Sequence, residues 1–473
     1  MKQIILAFCS LIIAMHCSAQ ITMPSIFSDN MVLQQKADVK IWGMSKPEEN
    51  IKIKTSWSSK VYATTADSCG KWSIYIKTPR HSVNHSIEIF SLTDKKSIRN
   101  ILIGEVWLCS GQSNMEFEVL PSKEQSWMTG MEGAQAELED TNYPYMHFFK
   151  VEEGWDYYTP QKDCKGEWVV CNAEYAKSYS AIAFLFGKYL YKSLNVPVGI
   201  ILSAYGGTHA ESWTRQEVMQ NNPLYKNVLE KYTPQAMEPK GYNHKVPSSI
   251  WNYMVNPIVG YTIKGNIWYQ AESNAFRAKD YPAVFENMVN DWRKQWGQER
   301  LPFYFMQVAP HSTQPAKLRE TQAQCWLDGN LKDIGMATVI DAGDSLDLHP
   351  KNKILPAKRY LAWALNREYG KNVECCGPLY ESYKLEGNKV EITFKYAKGL
   401  YIKDNEVVND LYIAGEDGKL YPAMATIEKG KLKVWSKNVS RPKLITYCCS
   451  NYCKGNIYNS AQLPAYPFRI EIN

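Results

Sequence analysis

Along residues 20–100 apolar and polar side chains alternate with a period of two: Val39-Lys-Ile-Trp42, Ile51-Lys-Ile-Lys-Thr55, Lys71-Trp-Ser-Ile-Tyr-Ile76 and Ser86-Ile-Glu-Ile-Phe90. Successive side chains of a strand face opposite ways, so each segment predicts a strand buried on one side. Gly43, Ser45, Pro47, Asp67 and Gly70 punctuate them, as turns of an antiparallel β-sandwich would. The texture changes at Ile101. Ile103–Cys109, Val196–Leu202, Ile263–Tyr269 and Phe303–Val308 are nearly continuous apolar runs, the mark of strands covered on both faces. Helical patterns over Ser180–Ser193 and Tyr281–Arg293 lie between them. Strands alternating with helices predict βαβ units, hence an α/β fold with a parallel sheet. Ligands of such sheets sit beyond the carboxyl ends of the strands. After Gly370 alternation returns in Val390–Phe394, Leu411–Ala414, Lys431–Trp435 and Leu444–Tyr447. The expected units are a β domain over 20–100, an α/β domain over 101–370 and a β module over 371–473.

The first 19 residues are expected to be a signal peptide. Lys2 precedes an apolar stretch of about a dozen residues, and Cys17-Ser-Ala19 places small residues before Gln20. The stretch is too short for a membrane span, and no later one reaches about 18 apolar residues. Export to the periplasm or beyond follows, and disulfides are chemically allowed there. Five cysteines cluster late in the chain. Pairing between the Cys375–Cys376 and Cys448–Cys453 segments is the expectation, although connectivity is not readable from sequence. Zinc is the rival use of such a cluster, but no histidine lies near it, so no metal is expected.

Hydrophobic residues make up 45% and charged residues 22% of the 473, which excludes a disordered chain. The net charge of +6 is diffuse, and no basic run interleaves with aromatics, so nucleic acid is not an expected partner. With 15 Trp and 31 Tyr, some aromatics are available to stack on sugar rings beyond those a core needs.

Four polar clusters follow the apolar strands. Gly111-Gln-Ser-Asn-Met115 puts Ser113 between a strand and a helix start, where its hydroxyl enters the cleft and free N–H groups can hold an oxyanion. Tyr205-Gly-Gly-Thr208 offers backbone donors at Gly206 and Gly207. Trp268-Tyr-Gln-Ala-Glu-Ser-Asn274 offers the amides of Gln270 and Asn274. In Asp347-Leu-His-Pro350, the proline favours extended backbone at His349, so Asp347 and His349 point the same way. The carboxylate can then orient the ring at Nδ1 and leave Nε2 free to take the Ser113 proton. Taken singly, each cluster also has a bland reading as a helix cap, a turn or a surface pair.

Together they resemble the sialate O-acetylesterase family, serine hydrolases of the SGNH type with a flavodoxin-like fold. The resemblance rests on Gly104-Glu-Val-Trp-Leu-Cys-Ser-Gly-Gln-Ser-Asn-Met115, Gly206-Gly-Thr208 with Glu211-Ser-Trp213, Trp268-Tyr-Gln-x-Glu-Ser-Asn274 and Asp347-x-His-Pro350. It covers the chain from leader to tail. It implies Ser113 as nucleophile, His349 as general base, Asp347 as its orienter, and an oxyanion hole of Gly206 or Gly207 with a side-chain amide. Gln270, at the strand end, is favoured over Asn274 for that amide. Gln112, Asn114, Glu272 and Arg277 become candidate substrate-binding residues. Arg277 or Arg319 could meet a sugar carboxylate, although each suits a structural ion pair equally well. The chemistry needs no cofactor. Where the family has glycine, this chain has Ala271, which is expected to narrow the pocket. The expected substrate is an acetylated sugar, foremost 9-O-acetylated sialic acid, with acetyl-xylan or another glycan as the alternative. A non-catalytic glycan-binding protein is the rival class, but a binder has no need of the whole Ser, Asp and His set. Nothing in the sequence fixes the oligomeric state.

Overall fold

A computed structural model describes residues 20–121, 128–404 and 407–473; the leader expected over 1–19 lies outside them. The first two predicted units share a strand. β1, Lys95–Gly111, runs for 17 residues. Its first part pairs antiparallel with Ser82–Phe90 of the N-terminal sheet, and its second part lies between two parallel strands of the central sheet. The boundary expected after residue 100 therefore falls inside a strand. What changes there is burial: alternating up to Asn100, continuous from Ile101 onward.

The central sheet adds β2 (Tyr143–Lys150), β3 (Trp168–Cys171), β4 (Val198–Ala204), β5 (Gly265–Tyr269), β6 (Phe303–Gln307) and β7 (Ile334–Thr338). Their order is β7-β6-β5-β1-β4-β2-β3, parallel throughout except for β3, which runs antiparallel on the edge. The period of two divides β1 between two cores. Val106 and Leu108 enter one, Trp107 and Cys109 the other. The same split places Trp268 opposite Ile267 and Tyr269, and Phe303 and Phe305 opposite Tyr304 and Met306. Helices cover both faces, as βαβ connections require. After the short α1 (Ser113–Glu116) come α2 (Ala181–Leu194), α3 (Tyr281–Trp296), α4 (Ala316–Leu327) and α5 (Ile354–Arg367). The Trp107 face packs α2 and α5, and the Val106 face packs α3 and α4. Ser180 caps α2 by accepting the Ala183 N–H. Because β4 and β5 flank β1 on opposite sides, the crossovers diverge at β1 and leave a crevice at its carboxyl end.

The N-terminal strands bury their apolar faces in the same core as α3 and α4. The C-terminal module has its own core between two four-stranded sheets, with Val390, Ile392 and Leu432 facing Ile413, Ile445 and Ile470. It is tied to the end of β7 by Tyr466, whose hydroxyl donates to the Met336 carbonyl, and by Tyr458, which donates to Asp341. The expected disulfides are not formed: the ten described cysteines are free. Cys375 and Cys376 belong to the core around Trp107, whereas Cys448 and Cys453 belong to the C-terminal core, so the two segments are packed apart. Among the described residues no helix is long and apolar enough to cross a membrane.

Candidate active site

The carboxyl ends of β1, β4, β5 and β7 bring four polar loops around one cavity of about 470 Å³. At the end of β1 the chain turns sharply. Gly111 has φ +141°, and a Cβ there would lie 2.1 Å from the Tyr269 carbonyl of β5, so only glycine lets the two strand ends close up. Two residues on, Ser113 opens α1 and lines the cavity. Its Oγ lies 2.9 Å from Nε2 of His349, on the loop after β7.

Asp347 is placed differently from expectation. Its Oδ1 accepts the backbone N–H of His349 at 2.8 Å and stands 3.8 Å from the ring Nδ1, beyond hydrogen-bond range. An aspartate can reach the backbone N–H two residues ahead more easily than the ring beyond it. Asp347 thus shapes the loop through the backbone and acts on the ring through its charge. Burial pushes the His349 ring down to about 4; the Lys353 ammonium and His311 push the same way, and Asp347 opposes them. His349 is neutral at neutral pH, as a proton acceptor must be.

Gly206 and Gly207 approach the nucleophile closely. A Cβ on Gly206 would lie 3.5 Å from Ser113 Cβ and 2.7 Å from Glu116 Oε2, and Gly207 has φ +69°. Among the described residues no backbone carbonyl takes the N–H groups of Ser113, Gly206 or Gly207. Three donors therefore remain for a developing oxyanion.

Neither side-chain amide expected to join them does so. Gln270 is fully buried: its Nε2 donates to the Thr208 carbonyl at 3.1 Å and to Asn274 Oδ1 at 2.7 Å, while its Oε1 accepts from Tyr281. Asn274 donates to Glu211 Oε2 at 2.8 Å and accepts the Ala210 N–H at 2.9 Å. Both brace the 206–214 loop from beneath and form no part of the cavity wall. Gln270→Ala should therefore cost about 2 kcal/mol in denaturant unfolding, from buried groups left unpaired, and change kcat only a few-fold. A hundredfold loss of kcat at unchanged stability would return Gln270 to the oxyanion hole.

The other candidates divide. Gln112 lines the cavity, with its side-chain Oε1 accepting the Ser273 N–H at 3.3 Å. Glu272 also lines it; burial raises its carboxyl, and Oε2 has no hydrogen-bond partner among the described residues. Asn114 is fully buried and held by protein groups on both ends of its amide, so it does not face substrate. Arg277 pairs with buried Glu211 at 2.7 Å, and Arg319 donates to the Asn451 carbonyl at 3.0 Å. Both arginines are structural, and neither reaches the cavity. Glu153, Gln314 and Lys353 escaped the sequence reading. Glu153 and Gln314 lie on irregular loops with no motif, and a lysine beside a helix start reads as a surface residue.

Ala271 does not narrow the cavity, which it does not line. It takes φ +153° even so, a strained region for alanine. Ala271→Gly should raise stability by about 1 kcal/mol, strain relief outweighing the added chain entropy. An unchanged or lower unfolding midpoint would show that the strain is absent. Among the described residues one trio, Asp410, Cys448 and Cys453, gathers potential metal ligands within 4.8 Å. The Arg319 guanidinium lies 3.8 Å from Cys453 Sγ and opposes a cation there.

Residues 103–355 match the family described as carbohydrate esterase, sialic acid-specific acetylesterase. The sialate O-acetylesterase of Homo sapiens is 27% identical over 502 residues, covering 94% of this chain and 91% of that protein. The sialate O-acetylesterase of Mus musculus is 24% identical over 520 residues, covering 95% and 94%. Among solved structures, a carbohydrate acetylesterase from Xanthomonas citri superposes with a TM-score of 0.83 at 27% identity, over 96% of this chain and 100% of that one.

Proposed function

From the premise that this chain belongs to the sialic acid-specific acetylesterase family of carbohydrate esterases, we propose that it removes acetyl groups from sugar hydroxyls through an acetyl-enzyme on Ser113. The observation that carries this reading is the 2.9 Å contact between Ser113 Oγ and His349 Nε2, next to three backbone N–H groups with no carbonyl partner among the described residues. Ser113 attacks the acetyl carbonyl as His349 takes its proton, and the N–H groups of Ser113, Gly206 and Gly207 hold the oxyanion. The tetrahedral species collapses, the sugar oxygen leaves with the proton from His349, and water then repeats the sequence on the acetyl-enzyme. Asp347 steadies the imidazolium through its charge. The fold is that of the flavodoxin-like SGNH hydrolases, and the leader carries the enzyme out of the cytosol.

The substrate is a 9-O-acetylated sialic acid in the reading closest to the family's description. A neutral acetylated glycan such as acetyl-xylan is the second reading. It is favoured by the commitment of Arg277 and Arg319 elsewhere and by Glu153 and Glu272 in the cavity wall, where the described residues include no Arg or Lys. Rates of acetate release from 9-O-acetyl sialosides and from acetyl-xylan separate the two, and release from neither overturns the proposal.

The base also sets the pH profile. His349 must be neutral to accept the proton, so kcat/KM should fall only as the pH drops through about 4, where the buried ring takes a proton. An unperturbed histidine would place that limb near 6.5 instead. A pH–rate profile on 4-nitrophenyl acetate checks this, and a limb at 6 or above would mean the ring is not buried as described.

A further inference from the structure

Beside the Ser113–His349 pair three buried polar side chains meet. Asn114, next to the nucleophile, donates from Nδ2 to Glu272 Oε1 at 2.7 Å and to the Leu348 carbonyl at 3.3 Å. Its Oδ1 accepts from Lys353 Nζ at 2.7 Å. Leu348 immediately precedes His349, so one amide ties the turn that carries the nucleophile to the loop that carries the base. Lys353 sits at the N-cap position of α5 and reaches back over α1, its Nζ 4.3 Å from the centre of the Phe117 ring. It is 1% exposed, a costly place for an ammonium whose one hydrogen-bond acceptor among the described residues is Asn114.

We propose that Lys353 is a positioning residue of the esterase: through Asn114 it locks the nucleophile turn to the histidine loop, and its ammonium opposes a proton on His349. This rests on the serine-esterase reading above. Burial draws the Lys353 ammonium down to about 7, with Glu272 and Asp347 opposing, so it is charged throughout the acid range where His349 titrates. The groups around His349 divide by sign. Lys353 and His311 repel its proton, Asp347 attracts it, and Glu116, Glu153 and Glu272 line the same cavity. Removing Lys353 leaves the attraction of Asp347 opposed by burial and by His311, so the ring should still protonate at somewhat higher pH than in the wild type.

Steady-state hydrolysis of 4-nitrophenyl acetate by the full chain across the acid range tests this. Lys353→Met should lower kcat at least about tenfold, leave KM within about twofold, and move the acid limb up from about 4, short of the unperturbed value because the ring stays buried. Lys353→Arg keeps the charge and should hold the limb near its wild-type position. A folded Lys353→Met with wild-type kcat and limb overturns the proposal. So does a loss of kcat with an unmoved limb, which would make the lysine merely structural. If Lys353→Met does not fold, Asn114→Ser decides: about a tenfold loss of kcat at unchanged KM supports the tie, and wild-type kcat overturns it. Ser113→Ala runs alongside. If it retains full activity, the serine-esterase reading fails and the positioning role falls with it. If it is inactive while Lys353→Met is unaffected, only the positioning role fails.

Discussion

Ser113→Ala should lower kcat on an acetylated sugar by about 10⁴–10⁶-fold, the largest effect expected of any single change in this chain. In the proposed mechanism the hydroxyl oxygen becomes acetylated, and it is Ser113, rather than the other wall hydroxyls of Tyr205 and Ser273, that stands 2.9 Å from His349 Nε2. Stability should barely move. Ser113 Oγ lies at the cavity, bonded to His349, and its loss leaves no buried group without access to water. Substrate affinity should also survive, because the sugar is bound by the cavity wall and the backbone donors stay in place. The measurement is kcat and KM beside an unfolding curve. A mutant that loses both activity and stability would mean that the serine serves the fold rather than the chemistry.

His349→Ala should lower kcat by a similar factor, about 10⁴-fold or more, because Ser113 then keeps its proton and the leaving sugar oxygen has no proton donor. Two further consequences separate this role from simple damage. The acid limb near 4 should disappear, since the group that titrates there is gone. The Ser113→Ala/His349→Ala double mutant should also be no slower than either single mutant, because the two residues act as one unit. Additive losses, or an acid limb that survives, would place the base elsewhere.

The parallel sheet was legible because period-two alternation changes to continuous apolar runs at Ile101, where β1 passes from half-buried to wholly buried. Ser113, Gly206 and Gly207 were legible as neighbours because each follows a strand whose carboxyl end opens on the same crevice, and His349 was legible through its Asp347-Leu-His-Pro350 pattern. Strand-end position does not say which way a side chain turns. Gln270 ends β5 as expected, yet its amide turns inward, where the Thr208 carbonyl and Asn274 accept its protons. β7 lacked a strand's signature because Gly335 must be small there: a Cβ would meet the Trp363 ring of α5 at 2.4 Å. Lys353 was illegible for a different reason. A lysine's burial is decided by partners distant in sequence, and its partner Asn114 lies 239 positions earlier. The cysteines misled because the expectation of export admitted disulfides, whereas pairing depends on which core each thiol enters.

Covalent labelling tests the serine-esterase reading most directly. The full chain would be treated with an organophosphonate ester, digested, and its peptides sequenced by mass spectrometry. One adduct should appear on Ser113, in step with the loss of 4-nitrophenyl acetate hydrolysis, and it should be absent from Ser113→Ala and strongly slowed in His349→Ala. An adduct on another residue accompanying inactivation, or full inactivation with Ser113 unmodified, would contradict it.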